Sequence, residues 1–386
     1  MIELGIDELT LVFIPCKSFL DSRPFNTWDW SQQANYLIHS IAEKSDFVYI
    51  FGDRSTAVTP PQGYITAFTF GVHDFYFSMG FHPAYVEMGI VLKFSAKALA
   101  FYLSKAQCTV YEYLHSIQNE NYLFHLSRVD FVADYINEAF TVTSIYNDWK
   151  DDKIKIVREY TKPNSNEIYF KKCNMEPRGF FTKSAVGTIY FGSSKSKLQL
   201  RIYDKRLEQL ETKGSYLEKA KQCKSWIRFE AIFKDKYAKQ ITDFLLDITN
   251  DDEYANLIAT LIYQKFCFKY ATNGVIEDNT EFSQLLLDCI SEKNYQLKSA
   301  TNKNEDLRRS IAYLADGSGL FTTFFKVKSI WGTEGLKSLS DYFIDEFNNY
   351  EPNHDTNVWL SKYQYPYLVD YPTIDDFINN LKELKE

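Results

Sequence analysis

Ser127-Arg-Val-Asp-Phe-Val-Ala-Asp-Tyr135 alternates polar and apolar residues with a period of two. Alternate side chains of a strand share a face. Arg128, Asp130, Val132 and Asp134 therefore line one side, and Val129, Phe131, Ala133 and Tyr135 the other. Two later stretches repeat the pattern, LQLRIYDK over Leu198–Lys205 and WIRFEAIF over Trp226–Phe233. Gln199, Arg201, Tyr203 and Lys205 share a face in the first, and Trp226, Arg228, Glu230 and Ile232 in the second. A surface sheet ordinarily shows Thr, Lys, Gln and Ser to water. Here, if the strands are neighbours, the wet face carries three carboxylates, a tyrosine and four cations.

Carboxylates packed together repel unless cations or a metal compensate. Oxygen-only ligands suit Mg²⁺ or Mn²⁺ rather than zinc. A salt-bridged outer face fits the same pattern equally well. A tyrosine on such a face has one characteristic use: its oxygen attacks a phosphodiester and holds the end as a phosphotyrosine. With 28 tyrosines in the chain, only the position of Tyr203 between Arg201 and Lys205 singles it out.

Outward from these stretches, the first half reads mainly as strands, over Leu9–Ile14, Phe47–Phe51, Tyr64–Phe70 and Ile90–Phe94. Ser95–Lys105 and Val110–Gln118 carry helical spacing. Arg206–Cys223 fits an exposed charged helix, and Tyr237 to Ile248 an amphipathic one. The last third is helical over Tyr254–Tyr270, Glu281–Leu297, Gly335–Phe347 and Ile374–Leu384, with a turn at Asp316–Gly319. The expected class is α+β, with a mostly antiparallel central sheet and flanking helices. A boundary near residue 250 separates a core, 1–250, from a mainly helical region, 251–386.

The 386 residues carry a net charge of -8, which as an average argues against a nucleic-acid partner. The distribution is uneven: residues 1–149 sum to -8, residues 150–240 to +11 and residues 241–386 to -11. A basic middle third points to a polyanionic partner, or to a solvated basic patch. Aromatics are 17% of the chain, enough for a large core with some left to stack on unpaired bases. The first eight residues lack the pattern of a signal peptide, and no window spans a membrane, so the cytoplasm is the expected compartment. The six cysteines show no CxxC spacing, which excludes a zinc ribbon or thioredoxin-type site.

Taken together, Arg128-Val-Asp130-Phe-Val-Ala-Asp134, Thr188-Ile-Tyr190-Phe-Gly192-Ser193, Arg201-Ile-Tyr203-Asp204-Lys205 and Arg228-Phe-Glu230 resemble a known family. It is the replication initiation factor (Rep_trans) type of plasmid rolling-circle initiator, with the related relaxases of integrative and conjugative elements. Gly5-Ile-Asp7-Glu-Leu-Thr-Leu, Met88–Ser95 and Ser318-Gly319-Leu-Phe add to the likeness.

The resemblance implies a rolling-circle initiator core and a metal-dependent DNA nicking-closing enzyme. Tyr203 becomes the nucleophile, Asp130 and Glu230 the ligands of Mg²⁺ or Mn²⁺, and Asp134 a weaker third. Lys205 and Arg201 would hold the phosphate, and Arg128, Lys195, Lys197 and Arg228 would contact DNA. The implied partner is a replication origin or origin of transfer with a single-stranded nick region. A helicase and a second copy of the chain are further implied partners; a membrane is not. The family pattern often has a basic residue after Gly-Ser; here Ser194 stands there, with Lys195 next. A conjugative relaxase and a non-catalytic DNA-binding copy-control protein stay open beside the replication initiator. A histidine-metal relaxase is excluded, because none of the six histidines forms a His-x-His pair.

Overall fold

The three alternating stretches lie next to one another. The structure, a computed structural model, describes residues 1–161, 168–173, 177–181, 186–291, 295–297, 307–312, 314–315, 318–352 and 354–383. Its strands in chain order are β1 (Ile2–Pro15), β2 (Arg54–Ser55), β3 (Thr66–Phe70), β4 (Phe77–Phe81), β5 (Ile90–Phe94), β6 (Tyr122–Ile136) and β7 (Ile154–Thr161). There follow β8 (Ile168–Lys172), β9 (Pro177–Phe181), β10 (Val186–Phe191), β11 (Leu198–Asp204), β12 (Trp226–Lys234), β13 (Cys267–Thr272) and β14 (Val275–Asn279). Among the described residues, ten strands form one antiparallel sheet in the order β2-β3-β4-β5-β1-β6-β12-β11-β10-β9. A smaller sheet runs β14-β13-β7-β8. The class is α+β, with a large antiparallel sheet, flanking helices and a helical C-terminus.

One face of the large sheet is the core. Leu9, Phe131, Ala133, Tyr135, Leu200, Ile202, Phe229 and Phe233 are buried there. The helices Lys236–Leu246 and Asp251–Phe266 pack on that sheet through Ile241, Leu245, Leu257 and Leu261. Burying one such side chain is worth about 1.5–3 kcal/mol, so the alternation read in the sequence specifies which face turns inward. One aromatic cluster brings Phe47, Phe51, Phe77, Phe94 and Tyr102 together with centroids 4.4–6.5 Å apart.

Four local expectations fail. The helix expected over Glu281–Leu297 ends at Leu287, and the described residues that follow it up to Leu297 are not helical. Phe47–Phe51 is a helical turn, not a strand. Phe47 and Phe51 are buried while Val48 and Tyr49 are exposed, an i, i+4 pattern that a five-residue apolar run cannot distinguish from a strand. The helix expected through Tyr270 ends at Phe266, and β13 and β14 form a hairpin across Asn273-Gly274. Both turn residues have positive φ, 50° and 80°, the conformation that Asn-Gly supplies. Arg206–Cys223 holds two helices, Lys205–Thr212 and Leu217–Gln222, parted at Lys213 (φ 50°) and Gly214.

The chain divides into two compact units, Met1–Lys298 and Ser299–Glu386. Residue 250 falls inside the first unit, where the Asp251–Phe266 helix belongs to the core and is followed by β13 and β14. The second unit contains the helices Leu307–Ala312, Leu320–Asn348, His354–Asp370 and Ile374–Glu383. Asp316 and Gly317 of the expected turn lie outside the described residues. No helix among the described residues is long and apolar enough to cross a membrane.

Candidate active site

The polar side of the sheet is ordered in rows. Asp134, Arg228 and Tyr203 face one another across β6, β12 and β11. Val132, Glu230 and Arg201 make the next row, and Asp130, Ile232 and Gln199 the one after. The strand adjacency thus places every proposed catalytic and metal residue of these three strands on one face, which is not the wet one expected: Asp130, Asp134, Tyr203 and Glu230 are all buried.

β1 adds two carboxylates that the sequence reading did not assign to the site. The ladder pairs Ile6 with Phe131 and Glu8 with Asp130, so Asp7 is an extra residue. Such a bulge re-aims side chains. Regular alternation would send Asp7 and Glu8 to opposite faces; here Asp7 reaches Arg228 while Glu8 reaches Arg128. Two consecutive acids inside a mostly apolar strand were the available signal.

The tyrosine end of the face is closed by charge pairing. Arg228 Nε and Nη2 donate to the two oxygens of Asp134 at 2.7 Å each, and Nη1 donates to Asp7 Oδ1 at 2.6 Å. Arg228 is only 4% exposed, and its guanidinium is an internal clamp on Asp134 and Asp7. Asp134 has both oxygens held by it, and among the described residues it does not converge with Asp130 and Glu230 as a three-carboxylate group. The clamp borders Tyr203, which is buried. The Arg201 guanidinium lies 4.1 Å from the centroid of the Tyr203 ring and Lys205 Nζ 5.7 Å from it. Burial raises the phenol above its ordinary range; the Arg228 charge opposes this, and Glu230 adds to it. No hydrogen bond to its hydroxyl is present among the described residues.

Asp204 explains how Lys205 reaches this place. Its side chain accepts from Leu207 N at 2.8 Å, capping the Lys205–Thr212 helix where β11 ends. Lys205 then opens the helix, buried, with Nζ 2.9 Å from Glu208. Glu208 is a further neighbour absent from the sequence reading.

The other end of the face is short of compensation. Arg128 clasps Asp130 through two hydrogen bonds, 2.9 and 2.7 Å, and lies 3.0 Å from Glu8. Lys93 also pairs with Glu8 at 3.5 Å, and Arg201 with Glu230 at 3.5 Å. Burial nevertheless lifts the Asp130 carboxyl to about 7, with Arg128 opposing and Glu230 and Glu8 adding to the rise. Burial, and after it the charge of Asp7, raises Glu230 as well. Two buried oxygen donors raised for these reasons suit a hard divalent cation, which would favour their ionised forms. Among the described residues, no three His, Cys, Asp or Glu side chains converge as a ready-made metal cage.

Lys195 and Lys197 are not brought to Tyr203. They occupy the β10–β11 connection, where Lys197 O accepts from Lys234 N at 2.9 Å, and Lys234 pairs in register with Arg128. That tip is six residues from Tyr203, roughly 20 Å at strand rise. Lys195 is exposed and Lys197 half-buried, so both extend the basic rim beyond Arg128.

A family model described as replication initiation factor matches residues 124–327, just over half of the chain. No curated protein matches the sequence. Among solved structures, a rolling circle replication initiator protein from Geobacillus stearothermophilus superposes with a TM-score of 0.50 at 14% identity. The match covers 75% of this chain and 97% of that one, a likeness of fold.

Proposed function

The chain belongs to the replication initiation factor family, and from that premise we propose that it nicks and recloses one DNA strand to start rolling-circle replication of a plasmid. The observation that carries this reading is the setting of Tyr203, beside Arg201 and Lys205 and one row from the buried Glu230. Tyr203 Oη attacks the scissile phosphorus, forming a 5′-phosphotyrosyl bond as the bond to the 3′ oxygen breaks. The phenolic proton leaves and the 3′ oxygen gains one, giving a free 3′-OH that primes synthesis. Resealing reverses the exchange and needs no ATP, because one phosphodiester replaces another.

Arg201 and Lys205 neutralise charge that develops on the phosphate. The Asp7–Arg228–Asp134 clamp fixes the strand that Tyr203 faces, which orients the nucleophile. Asp130 and Glu230 would hold Mg²⁺ or Mn²⁺, which when bound supplies Lewis-acid polarisation of the phosphate. Strand opening beyond the nick falls to a separate helicase in this scheme.

The test is a denaturing gel with an origin oligonucleotide and Mn²⁺. The expected product is an SDS-resistant protein–DNA adduct that is absent with Tyr203→Phe. An adduct that persists in that variant assigns the nucleophile elsewhere; origin binding with no adduct under any divalent metal supports a non-catalytic binder.

A further inference from the structure

The turn that splits the two helices after β11 forms one wall of a groove of about 540 Å³. That wall carries Lys213 and Tyr216; the facing wall carries His73, Phe75, Phe101 and Lys105. Each wall is built rather than incidental. On the first, buried Gln209 accepts from Tyr216 N through its side chain at 2.8 Å and from Gly214 N through its carbonyl at 3.2 Å. A Cβ on Gly214 would stand 2.4 Å from that Gln209 amide, so glycine lets the turn close on it. On the second, the His73 and Phe75 rings stack at 4.5 Å and 6°, Phe101 packs 5.5 Å from Phe75, and the His73 ring bonds Phe51 O at 2.9 Å.

The groove also connects with the tyrosine. Lys205, which flanks Tyr203, pairs with Glu208 at 2.9 Å; Glu208 accepts from Gln209 at 2.8 Å; and Gln209 holds the backbone of Tyr216. Lys213 and Lys105 are exposed, and Lys105 Nζ lies 5.9 Å over the Phe101 ring. Lys97 also lines the groove, but it is paired with Asp74 at 3.2 Å. Rings interleaved with free cations are the combination that binds unpaired nucleic acid: bases stack on the rings and phosphates lie beside the cations.

We propose that this groove is the track for single-stranded DNA adjoining the scissile phosphate, with bases against Phe101 and Tyr216 and phosphates beside Lys105 and Lys213. The inference rests on the nicking reading for its link to Tyr203.

The full chain carrying Tyr203→Phe, which binds without becoming trapped, is titrated with fluorescein-labelled oligothymidylate of about 16 nucleotides across a salt series. In that background, Lys105→Ala with Lys213→Ala is expected to make the slope of log K against log salt shallower by about 1.4, two phosphate contacts on a single strand. Tyr216→Ala is expected to weaken binding by about 5- to 150-fold. An unchanged slope and unchanged affinity overturn the proposal, as does an equal loss on duplex of the same length, which assigns the groove to double-stranded DNA. The two readings fail separately. If the wild-type chain forms an adduct but the lysine pair leaves the slope unaltered, only the groove falls. If no adduct forms and the slope still changes, the nicking reading falls and the groove stands.

Discussion

The two ends of the polar face use the same residue types to opposite effect. Around Arg228, Asp134 presents both oxygens to Nε and Nη2 and Asp7 accepts from Nη1, so all three nitrogens of the guanidinium are engaged. Around Glu230, the carboxylates of Asp130 and Glu8 are also paired with cations, yet Asp130 and Glu230 keep their protons beyond the ordinary range. The first end is a structural clamp; the second is the end at which the proposed function would place a divalent cation. Arg128 grips both oxygens of Asp130 as Arg228 grips those of Asp134, so the ends differ in the surrounding charge, where Glu230 and Glu8 add to the burial that raises Asp130.

The sharpest break of that comparison is Glu230→Gln. It removes a buried carboxylate from the unfinished end, so nicking of an origin oligonucleotide is expected to fall by about 10²-fold or more, with the melting temperature little changed or raised. A large loss of stability would place Glu230 with the clamp instead. Asp134→Ala should behave in the opposite way. Leaving Arg228 buried without its main partner is expected to cost about 3–5 kcal/mol in a denaturant titration. A variant of native stability that fails only in metal binding would return Asp134 to the ligand set.

A subtler difference is the pH dependence. Burial lifts Asp130 to about 7 in the folded chain against an ordinary 3.8, so the folded state binds more protons across that window. Metal-free stability should therefore fall as pH rises from about 4 to about 7, and Asp130→Asn should flatten this decline. Mn²⁺ should raise the melting temperature more at the upper end of the window, since the ligands must shed protons to bind it. A stability that climbs with pH over this range contradicts the assignment. The smallest effect expected is at the rim. Lys195→Ala, exposed and remote from Tyr203, should lower the salt slope of duplex binding by about 0.9 and leave adduct formation by bound DNA intact.

Much of this arrangement was legible because burial enforces a period of two. Phe131, Phe229 and Ile202 must face the core, and once they do, Asp130, Glu230 and Tyr203 have no other side to occupy. Adjacency of the three strands was an assumption that only the ladders could replace. The pattern could not reveal which charges neutralise one another, since pairing depends on cross-strand register; Arg228 therefore reads as a DNA contact in the sequence and is a clamp in the fold. Asp7 and Glu8 were hidden because a bulge breaks the period that would have revealed them. Phe47–Phe51 was too short for its period to be read, and Asn273-Gly274 marked a hairpin that the preceding helical run obscured.

The bulge at Asp7 has a consequence for how this site can vary. Ile6 already pairs with Phe131 and Glu8 with Asp130, so deletion of the single codon for Asp7 heals the ladder without shifting any other partner. Glu8 would keep its place opposite Asp130, Leu9 would stay in the core, and only the second carboxylate on Arg228 would be subtracted. The negative charge bordering the tyrosine is in this sense a detachable insert. It can be gained or lost in one heritable step while the sheet that presents it stays the same.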